Sequence, residues 1–281
     1  MPTIHDEDLA RILLGDCPYS DPTTEGLGIS RTPARAILTA RHDMTVCAVE
    51  EAARMFELSG ASVRIVVPSG TRAAAGTLLL EAHGTGGSLH RTYKMAQTLM
   101  EILSGIATAT RAIVDAAHSV NPHCRVTCTR KHMPGMKRWA LHAIETGGAA
   151  PHRLGLSDYV LVFEEHRSLL DGNVSLADHF ARLKAFSPER RLAAEASEVE
   201  EAVLLAQAGA EIVQVDKMTP EQVAATAERL RAFSPRPLLA AAGGVNASNA
   251  AAYAAAGADL LVTSAPYLAP PRDVKVRIEP A

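Results

Sequence analysis

A chain of 281 residues is long enough to bury one sizeable core or two smaller ones. Its 28 Lys and Arg against 31 Asp and Glu leave a net charge of -3, which excludes a broad basic surface for nucleic acid and a polybasic membrane patch. No run reaches the roughly 20 apolar residues of a membrane span, and the acids Asp6, Glu7, Asp8, Asp16 and Asp21 are unlike a secretory leader, so the expected location is cytoplasmic.

Residues 5–14 carry a short amphipathic helical pattern, and the polar, proline-bearing stretch Gly15 to Gly26 reads as an irregular loop. Short β-prone runs follow at 36–40, 45–49, 62–67 and 77–82, with a helical stretch at 50–58. Strands joined by turns with one inserted helix predict a small antiparallel sheet, ending near residue 85. From Leu89 to about Ala117 runs one long helix, with Leu89, Tyr93, Ala96, Met100, Leu103 and Ala107 at spacings of three and four. Gly105 inside it has two readings, close packing on a neighbour or backbone approach to a ligand.

Beyond this helix the rhythm changes. Apolar segments at 125–129, 159–163, 191–195, 212–215, 238–241 and 260–263 alternate with helical patterns at 137–146, 176–185, 199–208, 220–232 and 247–256. Continuous apolar strands separated by helices predict a parallel sheet, either a complete or incomplete β/α barrel or a doubly wound open sheet. The tail after Ala269 has no helical period and can return to the first domain as a strand. Cys124 and Cys128 read as buried thiols, since the four cysteines of the chain lack zinc spacing and are too sparse for a disulfide framework.

In a β/α barrel the working residues lie at the carboxyl ends of the strands. Those positions hold Arg130 and Lys131, then Phe163, Glu195, Asp216, the pair Gly243 and Gly244, and Ser264. Early strands supply cations, middle strands acids and late strands glycines. Arg130, Lys131, His152 and Arg153 lie beside glycine-rich turns and suit an anionic ligand. A Gly-Gly followed by a helix near Ser248 can present backbone N–H groups to a phosphate, although the same pair is often a plain turn. Glu195 and Asp216 end consecutive strands and can hold a ribose hydroxyl or a magnesium ion; the alternative is two charges that meet solvent.

Four stretches carry a resemblance. Thr-Arg-Lys-x-x-Pro-Gly at 129–135, Gly-Gly-x-x-x-His-Arg-x-Gly-Leu-x-Asp at 147–158, Ser-Gly-Ile-Ala-Thr at 104–108 and Val-Asp-Lys-Met at 215–218 resemble the quinolinate phosphoribosyltransferase family. The opening Gly-Asp-Cys-Pro-Tyr-Ser-Asp-Pro-Thr-Thr at 15–24 is similar to that family's start. The resemblance implies an N-terminal open-faced α/β sandwich, a C-terminal incomplete parallel β/α barrel, and a homodimer with active sites at the subunit interface. The implied limits are 1–111 for the sandwich with its linking helix, 112–269 for the barrel, and 270–281 for a tail that returns to the N-terminal domain.

The family reaction joins a pyridine dicarboxylate to 5-phosphoribosyl 1-pyrophosphate (PRPP) with Mg2+, releasing pyrophosphate and carbon dioxide. Carried across, Arg130, His152 and Arg153 hold the acidic acceptor and Lys131 lies between acceptor and PRPP. Glu195 and Asp216 serve the ribose or Mg2+, and Gly243, Gly244 and Ser264 line the phosphate pocket. Lys131, Glu195 and Asp216 are the expected catalytic residues.

The departures bear on the acceptor. Where the family reads Glu-Arg-Thr, this chain has Tyr93-Lys94-Met95, so the cation expected to reach the partner's site is Lys94, without the bidentate geometry of arginine. Where the family has Leu-Ile-Lys, this chain has Leu161-Val162-Phe163, and a substrate-facing lysine becomes an apolar ring. The family's Glu-x-Ser-Gly-Gly becomes Ala240-Ala241-Ala242-Gly243-Gly244, and a glycine of its last phosphate loop becomes Ser264. This pattern is similar to the ModD branch, associated with molybdenum utilisation and molybdate transport. The expected function is phosphoribosyl transfer to a heteroaromatic acid less anionic or bulkier than quinolinate. The alternatives are true quinolinate activity, a non-catalytic binder of nucleotide or oxyanion in molybdenum metabolism, and a lyase with Lys131 as Schiff-base nucleophile.

Overall fold

The computed structural model describes residues 3–281; the first two residues of the expected sandwich domain lie outside them. In chain order the elements are α1 (Asp6–Asp16), α2 (Pro22–Gly26), β1 (Pro33–Ala40), β2 (Met44–Thr45), α3 (Val49–Leu58), β3 (Ser62–Ile65), β4 (Arg72–Ala73), β5 (Leu78–Thr85) and α4 (Gly86–His118). There follow β6 (Arg125–Cys128), α5 (Lys137–Thr146), β7 (Ala150–Pro151), β8 (Val160–Val162), α6 (Glu164–Arg167), α7 (Leu176–Phe186) and β9 (Leu192–Ala196). The chain closes with α8 (Val199–Gln207), β10 (Ile212–Asp216), α9 (Pro220–Leu230), β11 (Leu238–Ala242), α10 (Ala250–Ala255), β12 (Leu260–Thr263) and β13 (Val274–Pro280). Two compact units form: one holds the residues up to Arg111 with Met133–Gly148 and Pro266–Ala281, the other Ala112–His132 and Ala149–Ala265.

In the first unit an antiparallel sheet runs in the order β13-β1-β5-β3. Ala34, Ala36, Leu38 and Ala40 alternate inward along β1, and Met55 and Phe56 of α3 are fully buried. The tail pairs with β1 from Ala40 opposite Val274 to Ala34 opposite Pro280. The strand expected at 45–49 stops at Thr45, because Ala48 adopts a left-handed φ of 63° and Val49 opens α3. The expected loop at 15–26 contains α2, nucleated by Asp21, whose carboxylate accepts the N–H groups of Thr23 and Thr24 ahead of Pro22. Gly105 is a packing glycine: a Cβ there would collide with the carbonyl oxygen of Pro270.

The segment 133–148, expected in the barrel, belongs to the first unit. Arg138 pairs with Asp8, His142 lies 3.4 Å from Glu51, and Gly147 fits against Thr110, where a Cβ would stand 2.5 Å from that residue's own Cβ.

The second unit is a seven-stranded parallel sheet in the order β7-β6-β12-β11-β10-β9-β8. Neighbours follow chain order, and the ring wraps where β6 pairs with the last strand β12. Successive strands are added in one direction throughout, the order of a curled sheet, whereas a doubly wound sheet reverses direction at its switch point, so that alternative is excluded. The ladder breaks between β7 and β8, which makes the barrel incomplete. The short strand β7 is absent from the sequence pattern because two residues carry no period. Leu161, Ala193, Ile212, Ala240, Ala242 and Val262 form the core inside the curl. No helix among the described residues is long and apolar enough to cross a membrane.

Candidate active site

Strand periodicity places the site. Side chains two residues apart share a face, so each inward core residue predicts the next inward position toward the carboxyl end. From Leu161 that step leads to Phe163, from Ala193 to Glu195, from Ile212 to Gln214 and from Val262 to Ser264. A second step along β10 reaches Asp216. Glu195 and Gln214 are register partners, and the Gln214 side-chain amide donates to Glu195 Oε2 at 2.5 Å. Burial, the neighbouring Asp216 and the more distant Glu165 raise the pKa of Glu195 against the lowering effects of the Gln214 bond and Lys217.

The diglycine after β11 lies against Asp216. Gly243 and Gly244 have φ of 83° and 89°, and a Cβ at Gly243 would lie 2.5 Å from both Asp216 Oδ1 and the Lys217 nitrogen. Lys217 is itself left-handed at φ 57°; its N–H donates to Ala242 O at 2.8 Å and its Nζ lies 3.2 Å from Asp216 Oδ2. Asn246 and Asn249 each donate a side-chain N–H to Gly244 O at 3.0 Å. Asn246 also accepts the Ser248 N–H, which holds 247–249 in turns and delays α10 to Ala250, later than the expected start at 247. Ser264 shares a hydrogen bond of 2.7 Å with Thr129, whose Oγ1 accepts the Lys131 N–H.

On the other side of the break in the ladder stand the early-strand residues. Arg130 and Lys131 are exposed directly after Thr129. His152, after β7, meets Tyr159, before β8: the hydroxyl and Nε2 lie 2.5 Å apart and the rings are edge-to-face. Burial and then the adjacent Arg153 hold the His152 pKa down at about 4, so its ring is neutral near pH 7. The Arg153 guanidinium lies 5.6 Å from the centre of the Phe163 ring, which also stacks on His166 at 5.8 Å. Burial lowers the Arg153 pKa as well.

Eleven expected site residues are thus located, ten of them in the second unit. Lys94 belongs to the first unit, on α4, with its Nζ 3.0 Å from Gln97 Oε1 and 5.3 Å from the Tyr93 ring centre. Residues the sequence reading did not single out are Gln214, Tyr159, Asn246 and Asn249. Gln214 had a signal: it is a polar residue inside an apolar strand, in phase with Asp216. Tyr159 and the asparagines had none, because their partners come from the fold.

Glu195 and Asp216 suit Mg2+, which keeps waters and takes substrate phosphates beside one or two carboxylates. Among the described residues no group of three or more His, Cys, Asp or Glu converges as a protein-only metal cage.

Residues 106–277 match the model described as quinolinate phosphoribosyl transferase, C-terminal domain, and residues 21–104 match that of its N-terminal domain. The chain is 44% identical over 250 residues to the Rhodobacter capsulatus protein named "Putative pyrophosphorylase ModD", covering 88% of this chain and 95% of that one. It is 35% identical over 274 residues to the Pasteurella multocida protein of the same name, covering 98% and 97%. The structure of the nicotinate-nucleotide pyrophosphorylase from Francisella tularensis shares the fold, with a TM-score of 0.89, 20% identity and coverage of 99% and 98%.

Proposed function

Because the chain belongs to the quinolinate phosphoribosyltransferase family, we propose that it transfers the phosphoribosyl group of PRPP to a ring nitrogen of a heteroaromatic acid. In this reaction the C1–N bond forms as the C1–O bond to pyrophosphate breaks, and the leaving group carries the electron pair away. One observation carries the reading to these residues: Asp216 ends β10 beside the end of β11, Gly243 is packed against its carboxylate, and Glu195 lies near the end of the next strand on the other side of β10. This packing supports a sugar site beside a phosphate site.

The chain's residues divide the work. Gly243, Gly244 and Ser264 receive the phosphate of the pentosyl donor, with backbone N–H groups close enough because no Cβ intervenes. Asp216 and Glu195 orient the ribose and offset positive charge as it develops at C1. Arg130, Arg153 and the neutral His152 position the acceptor, and Lys131 lies between acceptor and donor. Glu195 and Asp216 would hold Mg2+, which when bound offsets the charge of departing pyrophosphate. The same reading makes the protein a homodimer with Lys94 acting in the partner's site. The molybdenum connection rests on the name ModD of the relatives.

The test is PRPP-dependent pyrophosphate release across a panel of pyridine and other heteroaromatic acids, with and without Mg2+. Release from at least one acid is expected. A panel with no release under either condition would overturn the assignment.

A further inference from the structure

Arg153 and Phe163 line more than the barrel mouth. A cavity of about 720 Å3 starts at these two residues and continues along the unpaired edge of β8 toward α7. Its further wall carries Leu156, Leu169, Leu170 and Phe186, and Arg182 and Arg190 stand at its α7 end as exposed side chains whose charge meets solvent. Leu169 and Phe186 are 87% and 85% exposed, an unusual investment of large apolar side chains around a polar site.

The charged groups divide unequally along this cavity. Arg153 lines the cavity's head, and its Nε is buried with no hydrogen-bond partner among the described residues, so no carboxylate of the fold neutralises the guanidinium through that atom. Phe163 lies against that guanidinium and keeps it at the cavity's head. The two carboxylates in the walls are already engaged: Asp158 accepts the Leu154 N–H at 2.8 Å and Asp171 the Asn173 N–H at 2.9 Å. His152 beside Arg153 is neutral and adds no second charge. With Arg182 and Arg190 exposed to solvent at the far end, an anionic group at the head followed by an apolar body is the complementary ligand. The volume lies in the range that encloses ligands larger than a single ring.

We propose that the acceptor is a heteroaromatic monocarboxylate bearing an apolar ring substituent, with its carboxylate on Arg153 and its substituent along Leu156, Leu169, Leu170 and Phe186. This deepens the phosphoribosyl-transfer reading and, as an acceptor assignment, rests on it. Phe163 and the β8 edge then set specificity by size and charge together.

The experiment is calorimetric binding of pyridine-3-carboxylate and 5-phenylpyridine-3-carboxylate to the full chain without PRPP, alongside pyrophosphate release from both once PRPP and Mg2+ are added. The phenyl acid is expected to bind about tenfold more tightly, the return for burying one ring face. In Leu169→Asn and Phe186→Ser, both at exposed positions, the ratio of affinities is expected to fall toward one. A ratio of one or less in the natural chain, a ratio unchanged in both variants, or no binding by either acid overturns the proposal. So does a fall in sedimentation coefficient on Leu169→Asn, which would make this run a contact between copies. Pyrophosphate release without a phenyl preference defeats the cavity assignment alone. A phenyl preference without release from any acid supports the cavity as an acid-binding site and defeats the transfer reading.

Discussion

Oδ1 of Asp216 lies where a side chain on Gly243 would begin, 2.5 Å from the position of a Cβ. Gly244, next in the chain, has the same left-handed backbone but open space around it. Gly244→Ala is therefore expected to cost only the conformational strain, about 1 kcal/mol. Gly243→Ala adds displacement of Asp216 and Lys217 and should cost about 3 kcal/mol. Thermal melts of the two variants check the difference, and the KM for PRPP should rise more in Gly243→Ala. Equal melting points would mean that the close approach has no energetic weight.

His152 makes stability depend on pH. Its ring is held at about 4 in the fold against 6.5 in a free histidine, first by burial and then by Arg153. Between those values the unfolded chain binds a proton that the folded chain refuses. The contribution is fully present above pH 6.5 and is lost as pH falls through about 4. Melting temperature should therefore drop over this window by more in the natural chain than in His152→Asn. Parallel curves for the two proteins would contradict the buried, neutral ring.

The barrel was legible because its strands are continuous apolar runs, and the strand ends followed from that. Glu195, Asp216 and Ser264 could be placed by adding a step of two to an apolar residue, with no knowledge of the rest of the molecule. Other features were illegible for physical reasons. Strand β7 has two residues and no period, and α2 depends on Asp21 capping the backbone two and three residues on. The membership of 133–148 in the first unit depends on contacts such as Arg138 with Asp8, 130 residues apart. The Phe163 substitution read as a lost charge; the fold adds that the ring lies against Arg153, which periodicity alone does not reveal.

Glu195 sits between opposing influences, and each can be removed separately. Burial raises its pKa, the Gln214 amide lowers it and Asp216 raises it. Asp216→Asn should therefore shift the Glu195 titration to lower pH, and Gln214→Leu should shift it to higher pH. Carboxyl carbon NMR titration of Glu195 in the two variants reads both directions. Shifts of the same sign would mean that the two side chains do not act on Glu195 as neighbours.

Phe163 can be tested from both sides. Phe163→Leu keeps an apolar residue but removes the ring beside Arg153, a contact of about 0.5–1 kcal/mol at a partly exposed site. Affinity for any single carboxylate held by Arg153 should fall by about two- to fivefold. Phe163→Lys removes the same ring but places a second ammonium at the mouth, close to Arg153. That cation raises affinity only where the ligand brings a second carboxylate to meet it; a monoacid gains nothing and meets two repelling cations. Quinolinate affinity is therefore expected to rise about tenfold in Phe163→Lys while nicotinate affinity falls. Calorimetry with the two acids measures the ratio directly. Unchanged quinolinate affinity in a variant that melts like the natural chain would show that this position does not select the acceptor's charge.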